Sequence, residues 1–521
     1  MSKPAFHPIY HAHHAVALLF LSGIALSSQL LFSGIDNHGV MIIAAVLGGY
    51  MALNIGANDA GNNIGPLVGS AVIGLSGALL FAALFEAAGA FLAGDEVIST
   101  IKQGIVDPEQ LGDSRTIIRV MFSAMLAGAV WLNIATATGT PVSTTHTIVG
   151  GVLGAGITVG GIGVADWEMI GAITVSWLIS PLLSGIIAAL LLYLIKRTIT
   201  YQAKMSASAG KAVPLLVGLM AWTFTSYLLI KGVKASWRVD LPTALVCGMS
   251  IGLGVYLIIK PNIVQRTAML PNTKSAVNRL FNLPLLLAAG LLSFAHGSND
   301  VANAIGPLIA IKEAATVSGD PPLPDLPAWL LMIGAMGIPL GLVLYGKRLI
   351  KTIGSEITEL DQVRAFCIVT SVTITVLLAS RFGLPVSSTH TAVGAVFGIG
   401  FLRESLKTRY AILLEMLRRR QAGQDRQVME QFIKRFDRSS FHEKGRMLEQ
   451  LNATDNRLEL SNKERKSLNK LYRRELVKRS AFTRILLTWV ITLPATGALA
   501  ALIYHLLEST VIYNFLFNTG G

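Results

Sequence analysis

The stretch NIGANDAGNNIGPLVG, residues 54–69, is polar where the rest of the sequence around it is not. It contains one aspartate, four asparagines, four glycines and one proline, and it follows the almost wholly apolar segment VMIIAAVLGGYMAL. Glycine and proline favour an interrupted helix, and a carboxylate inside an apolar run is usually paired or functional. The stretch therefore predicts irregular backbone that lines a site, with a helix-capping aspartate as the simpler alternative.

The composition of the whole chain predicts a polytopic all-α membrane protein. Hydrophobic residues make up 52% of the sequence and charged residues only 14%, against roughly a quarter charged in soluble domains. Nine apolar stretches suit uninterrupted bilayer-crossing helices: 15–33, 73–94, 117–135, 168–195, 213–231, 243–260, 327–346, 364–382 and 484–507. Four more are long enough but interrupted by glycine, proline and polar residues: 39–72, 140–160, 280–312 and 384–402. We therefore expect about 12 or 13 transmembrane helices, some broken or re-entrant.

These segments divide the chain into six parts. They are an N-terminal tail with an extra transmembrane helix (1–38), a first transmembrane repeat (39–162), linking transmembrane helices (163–279), a second repeat (280–402), a basic helical insert (403–482), and a C-terminal transmembrane helix with its tail (483–521). Cys247 and Cys367 are the two cysteines, and both lie in apolar segments, so no disulfide framework and no CxxC metal motif is predicted. No cofactor and no metal beyond Na⁺ is expected.

Positive charge is concentrated in the insert. Residues 403–480 contain 21 basic and 11 acidic residues, which is +10 of the net +13. Basic residues beside membrane spans collect on the cytoplasmic side, so the insert is predicted to be cytoplasmic and the protein to lie in the cell inner (plasma) membrane. No nucleic-acid-binding motif accompanies the charge, which excludes nucleic acid as an expected partner. Contact with anionic lipid headgroups or a regulatory protein stays open beside a simple solvated insert.

The shorter loops give a consistent topology with one conflict. Loops 196–212 and 260–280 are basic and predicted cytoplasmic, whereas the acidic loop 95–116 is predicted to be outside. The loop 231–240 carries Lys231, Lys234 and Arg238, yet the alternation of spans puts it outside as well.

Two motifs occur twice. GANDAGNNIGPL, from Gly56, matches GSNDVANAIGPL, from Gly297, at an offset of 241, and GTPVSTTHTIVG, from Gly139, matches GLPVSSTHTAVG, from Gly383, at an offset of 244. Three predicted spans separate the copies, so the repeats are expected to be inverted in the membrane. Inverted repeats with matching helix breaks are typical of secondary transporters, whose binding site lies at the repeat interface.

The two motif pairs supply different chemistry. The first supplies acids and amides, which suit Na⁺ or a proton: Asn58, Asp59, Asn62, Asn299, Asp300 and Asn303. The second supplies hydroxyls at the start of a half-helix, which suit an anion, although such hydroxyls also bond back within their own helix: Ser143, Thr144, Thr145, Ser387, Ser388 and Thr389.

Three further ionisable residues are candidates. His146 and His390 follow the hydroxyl runs and are candidates for proton transfer or anion contact, or are simply packing residues. Glu86 is an intramembrane acid whose counterpart, aligned through GDEVISTI and GKRLIKTI, is the apolar Ile338. We interpret Glu86 as a coupling-ion group that breaks the symmetry of the repeats.

The paired GANDAGNN and GSNDVANA motifs and the paired PVS(T/S)TH motifs resemble those of the PiT family of inorganic phosphate transporters. The resemblance implies symport of inorganic phosphate with Na⁺ or H⁺, with the acidic motif as signature, Asp59 and Asp300 among the phosphate contacts, and the hydroxyl motif as substrate site. The first copy departs from the usual signature at Ala60, Gly61 and Asn63, where the second has Val301, Ala302 and Ala304.

Other functions stay open at this point. Some relatives with this architecture carry sulfate, which a hydroxyl-lined site also accommodates. An intramembrane hydrolase using Ser143 and His146 lacks a placed third residue, so the chain is not expected to be an enzyme. A sensor that signals through the insert, and a homodimer, are not excluded.

Overall fold

The computed structural model describes residues 8–32, 37–231, 239–316, 328–347, 349–350, 360–420 and 479–509. In this part of the chain the secondary structure is helical apart from one isolated bridge between Val106 and Ala165. The helices are α1 Pro8–Phe32, α2 His38–Gly69, α3 Leu75–Ala93, α4 Asp95–Gln103, α5 Ser114–Thr138, α6 Thr144–Gly160, α7 Trp167–Ile195, α8 Met205–Lys231, α9 Leu241–Met269, α10 Lys274–Leu280, α11 Asn282–Ala315, α12 Ala328–Tyr345, α13 Gln362–Arg381, α14 Ser388–Arg420 and α15 Arg479–Glu508.

Each of the thirteen predicted segments coincides with a helix, which confirms an all-α polytopic fold. Ten described helices are long and apolar enough to cross a membrane, or eleven if α10 and α11, which meet at 43°, count as one span. Helix α6 has 17 residues and is shorter than a full crossing. Most of the predicted insert, 421–478, lies outside the described residues.

The helix breaks occur at the second motif pair and not at the first. α2 continues through NIGANDAGNNIGP and α11 through GSNDVANAIGP, with Pro66 and Pro307 inside the helices. The chain leaves helical conformation instead at 139–143 and 382–387, where Gly139 and Gly383 adopt positive φ of 73° and 67°. The first motif therefore places its acids on continuous helices, which corrects the expected interruption at 54–69.

Glycines in the first motif serve close helix packing rather than chain reversal. A Cβ on Gly56 would collide with the carbonyl oxygen of Ile338, and a Cβ on Gly297 with that of Glu86. Small residues allow such backbone approach between membrane helices. The same contact recurs in the opposite sense at two other glycines: Gly341 against the Leu53 carbonyl and Gly89 against the Phe294 carbonyl. The contacts between α2 and α12 and those between α3 and α11 therefore use equivalent residues of the two repeats. Residues of α2 and α11 correspond at an offset of 241, and residues of α3 and α12 correspond at an offset of 252.

Buried apolar side chains form two clusters that share α2 and α11. One cluster contains side chains from 40–55 of α2 and 301–315 of α11, and the other contains side chains from 60–67 of α2 and 285–295 of α11. Along the chain, α2 therefore passes from the first cluster to the second and α11 from the second to the first. Both acid motifs lie where the two clusters meet.

Lys231, the first basic residue of the loop whose charge conflicts with its predicted side, contacts two acidic residues. Its ammonium group pairs with Glu96 and lies 3.2 Å from Asp95. The end of α8 is thus next to the start of α4, which carries both acids. Lys234 and Arg238 lie outside the described residues.

The glycine contacts give a stability prediction. Gly89→Ala should lower the thermal unfolding midpoint of the detergent-purified protein, because its methyl group has no room against the Phe294 carbonyl and overpacking costs about 1–3 kcal/mol. The control is Gly23→Ala in α1, where a Cβ meets nothing within 4 Å. It should leave the midpoint unchanged or raise it, because alanine favours helix over glycine by about 1 kcal/mol. Equal midpoints for the two variants would contradict the packing account.

Candidate functional site

Three carboxylates surround one histidine at the centre of the bundle, and we call Asp59, Glu86, His296 and Asp300 the acid cluster. All four side chains are fully buried. Nδ1 of His296 lies 2.6 Å from Oε1 of Glu86, and its Nε2 lies 2.9 Å from Oδ2 of Asp300 and 3.6 Å from Oδ2 of Asp59. Helices α2, α3 and α11 therefore bring both predicted aspartates and Glu86 to a single imidazole.

The starts of α6 and α14 supply hydroxyls to this cluster. Thr389 donates a hydrogen bond to Oδ1 of Asp59 at 2.9 Å, and Thr144 donates one to Oδ2 of Asp300 at 3.2 Å. In each case the carboxylate and the hydroxyl belong to different repeats. The site is therefore assembled from both halves of the sequence.

The asparagines of the first motif connect the acids to the helix breaks. Asn62 donates to both Asp59 Oδ1 and Thr389 Oγ1 at 2.7 Å, while Asn299 donates to Asp300 at 2.5 Å. Asn58 accepts from the backbone N–H of Val142 at 3.2 Å, and Asn299 does the same for Val386 at 3.5 Å. Asn303 reaches Thr144 and Thr145 at 3.4 and 3.5 Å. The predicted amides thus hold the irregular backbone against the acid-bearing helices.

The other hydroxyls of the second motif divide by role. Ser143 and Ser387 accept from the backbone N–H of His146 and His390, at 3.1 and 3.2 Å, and so bond back to their own helix starts. Thr145 donates to the Val386 carbonyl at 3.1 Å, in the other repeat. The buried hydroxyl of Ser388 has no hydrogen-bond partner among the described residues.

His146 and His390 contact each other and two tryptophans. The two imidazole centroids are 4.5 Å apart, His146 lies 3.8 Å from Trp177, and His390 stacks on Trp489 at 3.6 Å. No hydrogen bond within the described ranges connects either ring to the acid cluster. Nδ1 of His146 lies 3.4 Å from the Trp489 carbonyl oxygen, and a role of either histidine in proton transfer or anion contact stays a prediction.

His296 is the functional candidate that sequence reasoning missed. Its position in the first repeat, 241 residues earlier, is Ile55, so HGSND departs from IGAND at its first residue. Glu86 has Ile338 as counterpart and Asn63 has Ala304. These three polar residues, which have apolar counterparts in the other repeat, form a connected set. Asn63 donates to Glu86 at 2.5 Å, and Glu86 contacts His296. A residue-by-residue comparison of the repeats would have found them as one set.

The cluster is suited to a cation. If its three carboxylates are ionised, they outweigh one protonated imidazole and leave a net negative charge. Ligand atoms of Asp59, His296 and Asp300 lie within 4.8 Å of one another. Among the carboxylates of the cluster and the asparagines of the first motif pair, five buried oxygens have no hydrogen-bond donor in the part of the chain described here: Asp59 Oδ2, Asn62 Oδ1, Asn63 Oδ1, Glu86 Oε2 and Asn303 Oδ1. Pro66 and Pro307 have no backbone N–H, so the backbone carbonyls of Asn62 and Asn303, four residues earlier, receive no helical hydrogen bond from them. Such oxygens are typical ligands of a hard monovalent cation, and carboxylates with histidine also hold protons.

A duplicated, charged and fully buried site inside a multi-pass helical membrane protein defines the class of secondary transporters. Comparison with known proteins narrows this class. The model of the family described as "Phosphate transporter family" matches residues 55–500, and the chain belongs to that family. This confirms the predicted resemblance and the expectation of a transporter rather than an enzyme.

Individual relatives agree with the family. A Helicobacter pylori (strain ATCC 700392 / 26695) protein named "Putative phosphate permease" is 48% identical over 501 residues, which cover 94% of each chain. A Haemophilus influenzae protein of the same name is 40% identical over 69% of this chain and 87% of its own. A solved structure named "The sodium-dependent phosphate transporter" superposes with a TM-score of 0.70 at 28% identity, over 90% of this chain and 99% of the other.

The contact between Glu86 and His296, whose counterparts in the other repeat are apolar, can be tested with a double mutant. Glu86→Ile or His296→Ile alone should destabilise the protein by about 3–5 kcal/mol, because each leaves a buried charged partner uncompensated. The double variant should lose less than the sum of the two single losses, because neither Glu86 nor His296 is then left without the other, while Asp59 and Asp300 still lose the imidazole. Thermal unfolding in detergent measures the three variants. Losses that simply add in the double variant would show that the two residues are not coupled.

Proposed function

We propose that this protein imports inorganic phosphate by symport with Na⁺ or H⁺ and works by alternating access. The observation that carries the proposal is the joint placement of Asp59 and Asp300 against one imidazole, with each acid bonded by a hydroxyl of the other repeat. A site made by two repeats can open to either side when one repeat moves against the other. The passage of α2 and α11 through the two apolar clusters in opposite order supports an inverted arrangement.

Charge requires the cation and the anion to bind together. Phosphate is repelled by the net negative charge of the acid cluster unless cations lie between them. The anion site in this proposal comprises Thr144, Thr389, Ser388 and the free backbone N–H groups at the starts of α6 and α14. Cations bound by Asp59, Asp300 and the amide oxygens then neutralise the acids and attract the anion.

The membrane potential favours the same coupling. Moving one charge through 100 mV corresponds to about 2.3 kcal/mol, so importing a divalent phosphate against an inside-negative potential costs about 4.6 kcal/mol. Two cations bound at Asp59 and Asp300 would cancel this amount, and a third would make uptake electrogenic. We propose that Glu86, which contacts His296, also takes part in binding the coupling ion. The protein is assigned to the inner membrane with the 403–482 insert in the cytoplasm, on the distribution of basic residues.

Transport in proteoliposomes tests the proposal. Purified protein should accumulate labelled phosphate when an inward Na⁺ or H⁺ gradient is imposed, and the ion that drives uptake identifies the coupling. Asp59→Asn and Asp300→Asn should each reduce uptake at least tenfold, because each removes a cation-binding charge. Excess sulfate should compete weakly; strong competition would favour a sulfate symporter. If neither gradient drives uptake, cation-coupled phosphate import is wrong.

Two threonines of α14 allow a role in the transport site to be distinguished from a role in helix formation. Thr389→Val should lower uptake at least tenfold, because it removes the donor to Asp59 while preserving side-chain shape. Thr391→Val, two residues further on, is the matched control, since that hydroxyl bonds back to the Ser387 carbonyl at 2.8 Å. The control should stay within about twofold of the parent. Equal losses in the two variants would mean that Thr389 acts only in folding α14.

A further inference from the structure

A cavity of about 280 Å³ lies away from the acid cluster, and several of its lining residues are basic. The cavity forms where the ends of α7 and α10 meet the start of α13 and the middle of α14. We define the basic cavity by its charged lining residues: Lys196, Lys274, Asp361, Arg364 and Arg403. Tyr201 and Asn278 add a phenol and an amide to the lining.

The lining carries four positive charges and one negative charge. Asp361 lies 2.9 Å from the Arg364 guanidinium and 3.8 Å from the Lys274 ammonium, and it also caps α13 by accepting from the backbone N–H of Arg364. Burial raises the pKa of Asp361, but the hydrogen bond and charge of Arg364 outweigh burial and hold that pKa below its usual value. The one carboxylate is therefore ionised, and the cavity as a whole remains positive.

The basic groups are close enough to repel one another. The charge of Lys196 is opposed by those of Lys274, Arg364 and Arg403. Lys196, Arg364 and Arg403 are half-buried, which weakens the screening of like charges by water. An anion in the cavity would lower this repulsion. The arginine guanidinium matches two phosphate oxygens at once, and a lysine adds a point charge.

We propose that the basic cavity binds the phosphate group of an anionic ligand, either the headgroup of a membrane lipid or free phosphate. Lys196 directly follows the apolar run of α7, and Lys274 opens α10, so the cavity lies at the level where membrane helices end. Basic pockets in that position are typical headgroup sites. Its volume accommodates a headgroup phosphate and its ester oxygens, while acyl chains would stay in the bilayer.

Two helices connect the basic cavity to the acid cluster. Arg403 is 14 residues beyond Thr389 on α14, which corresponds to about 21 Å along a helix, and α10 leads through its 43° bend into α11, which carries Asp300. The cavity is therefore distinct from the transport site. A ligand there would hold together four helix segments, two of which lead to the transport site.

Native mass spectrometry of the full chain in detergent tests the site. Phosphatidylglycerol should bind as one retained adduct with at least fivefold preference over phosphatidylcholine of the same acyl chains. Lys274→Gln/Arg403→Gln should reduce the preference to less than twofold. The control Lys211→Gln/Arg266→Gln removes the same charges from exposed positions on α8 and α9 and should keep it. Equal binding of the two lipids by the parent, or equal preference in both double variants, would overturn the proposal.

Two further measurements refine the test. Asp361→Asn should tighten phosphatidylglycerol binding at least threefold, because asparagine still caps α13 while the negative charge is lost; weaker binding would contradict the charge argument. Added inorganic phosphate distinguishes the sources. Displacement of the lipid from the parent identifies free phosphate as a ligand, and retention of the lipid identifies the headgroup, and both outcomes support a phosphate site. Because the Asp361→Asn effect has the opposite sign, it tests the site even if a glutamine variant folds poorly.

Discussion

Burial of three carboxylates at one place is the constraint on which the rest of this structure depends. An ionised group inside a membrane protein is costly unless other groups compensate its charge and hydrogen bonds. Here the compensation comes from one imidazole, from amides one turn away on the same helices, and from hydroxyls on helices of the other repeat. No single segment could supply all three, so the acids require the two halves of the chain to fold around each other. Several oxygens at the site nevertheless have no hydrogen-bond donor among the described residues.

The structure also shows where symmetry is kept and where it is abandoned. Contacts that hold the backbone are duplicated, as in the glycine pairs and the bonds from Asn58 and Asn299 to the helix breaks. The contacts among Asn63, Glu86 and His296 are not duplicated, because the corresponding residues are Ala304, Ile338 and Ile55.

The sequence was sufficient for much of this. Apolar length predicted thirteen of the fifteen described helices, and the repeated motifs predicted the two aspartates and the two threonines that meet them. The location of the helix breaks was not predictable from glycine and proline alone, because the same residues that interrupt a helix also permit close packing. Gly56 and Gly297 are buried against a neighbouring backbone, and only the tertiary contact shows which role applies. His296 was missed for a related reason. Its function lies in a contact with Glu86, 210 positions earlier in the sequence.

The carbonyl contacts at Gly56, Gly341, Gly89 and Gly297 have a consequence for motion. Where backbones are in direct contact, no layer of flexible side chains lies between the helices. The pair α2 and α12, and the pair α3 and α11, are therefore each expected to move as a rigid unit. A movement that separated the helices within either pair would break these contacts. We therefore expect any rearrangement during transport to involve the starts of α6 and α14, where the chain leaves helical conformation at 139–143 and 382–387.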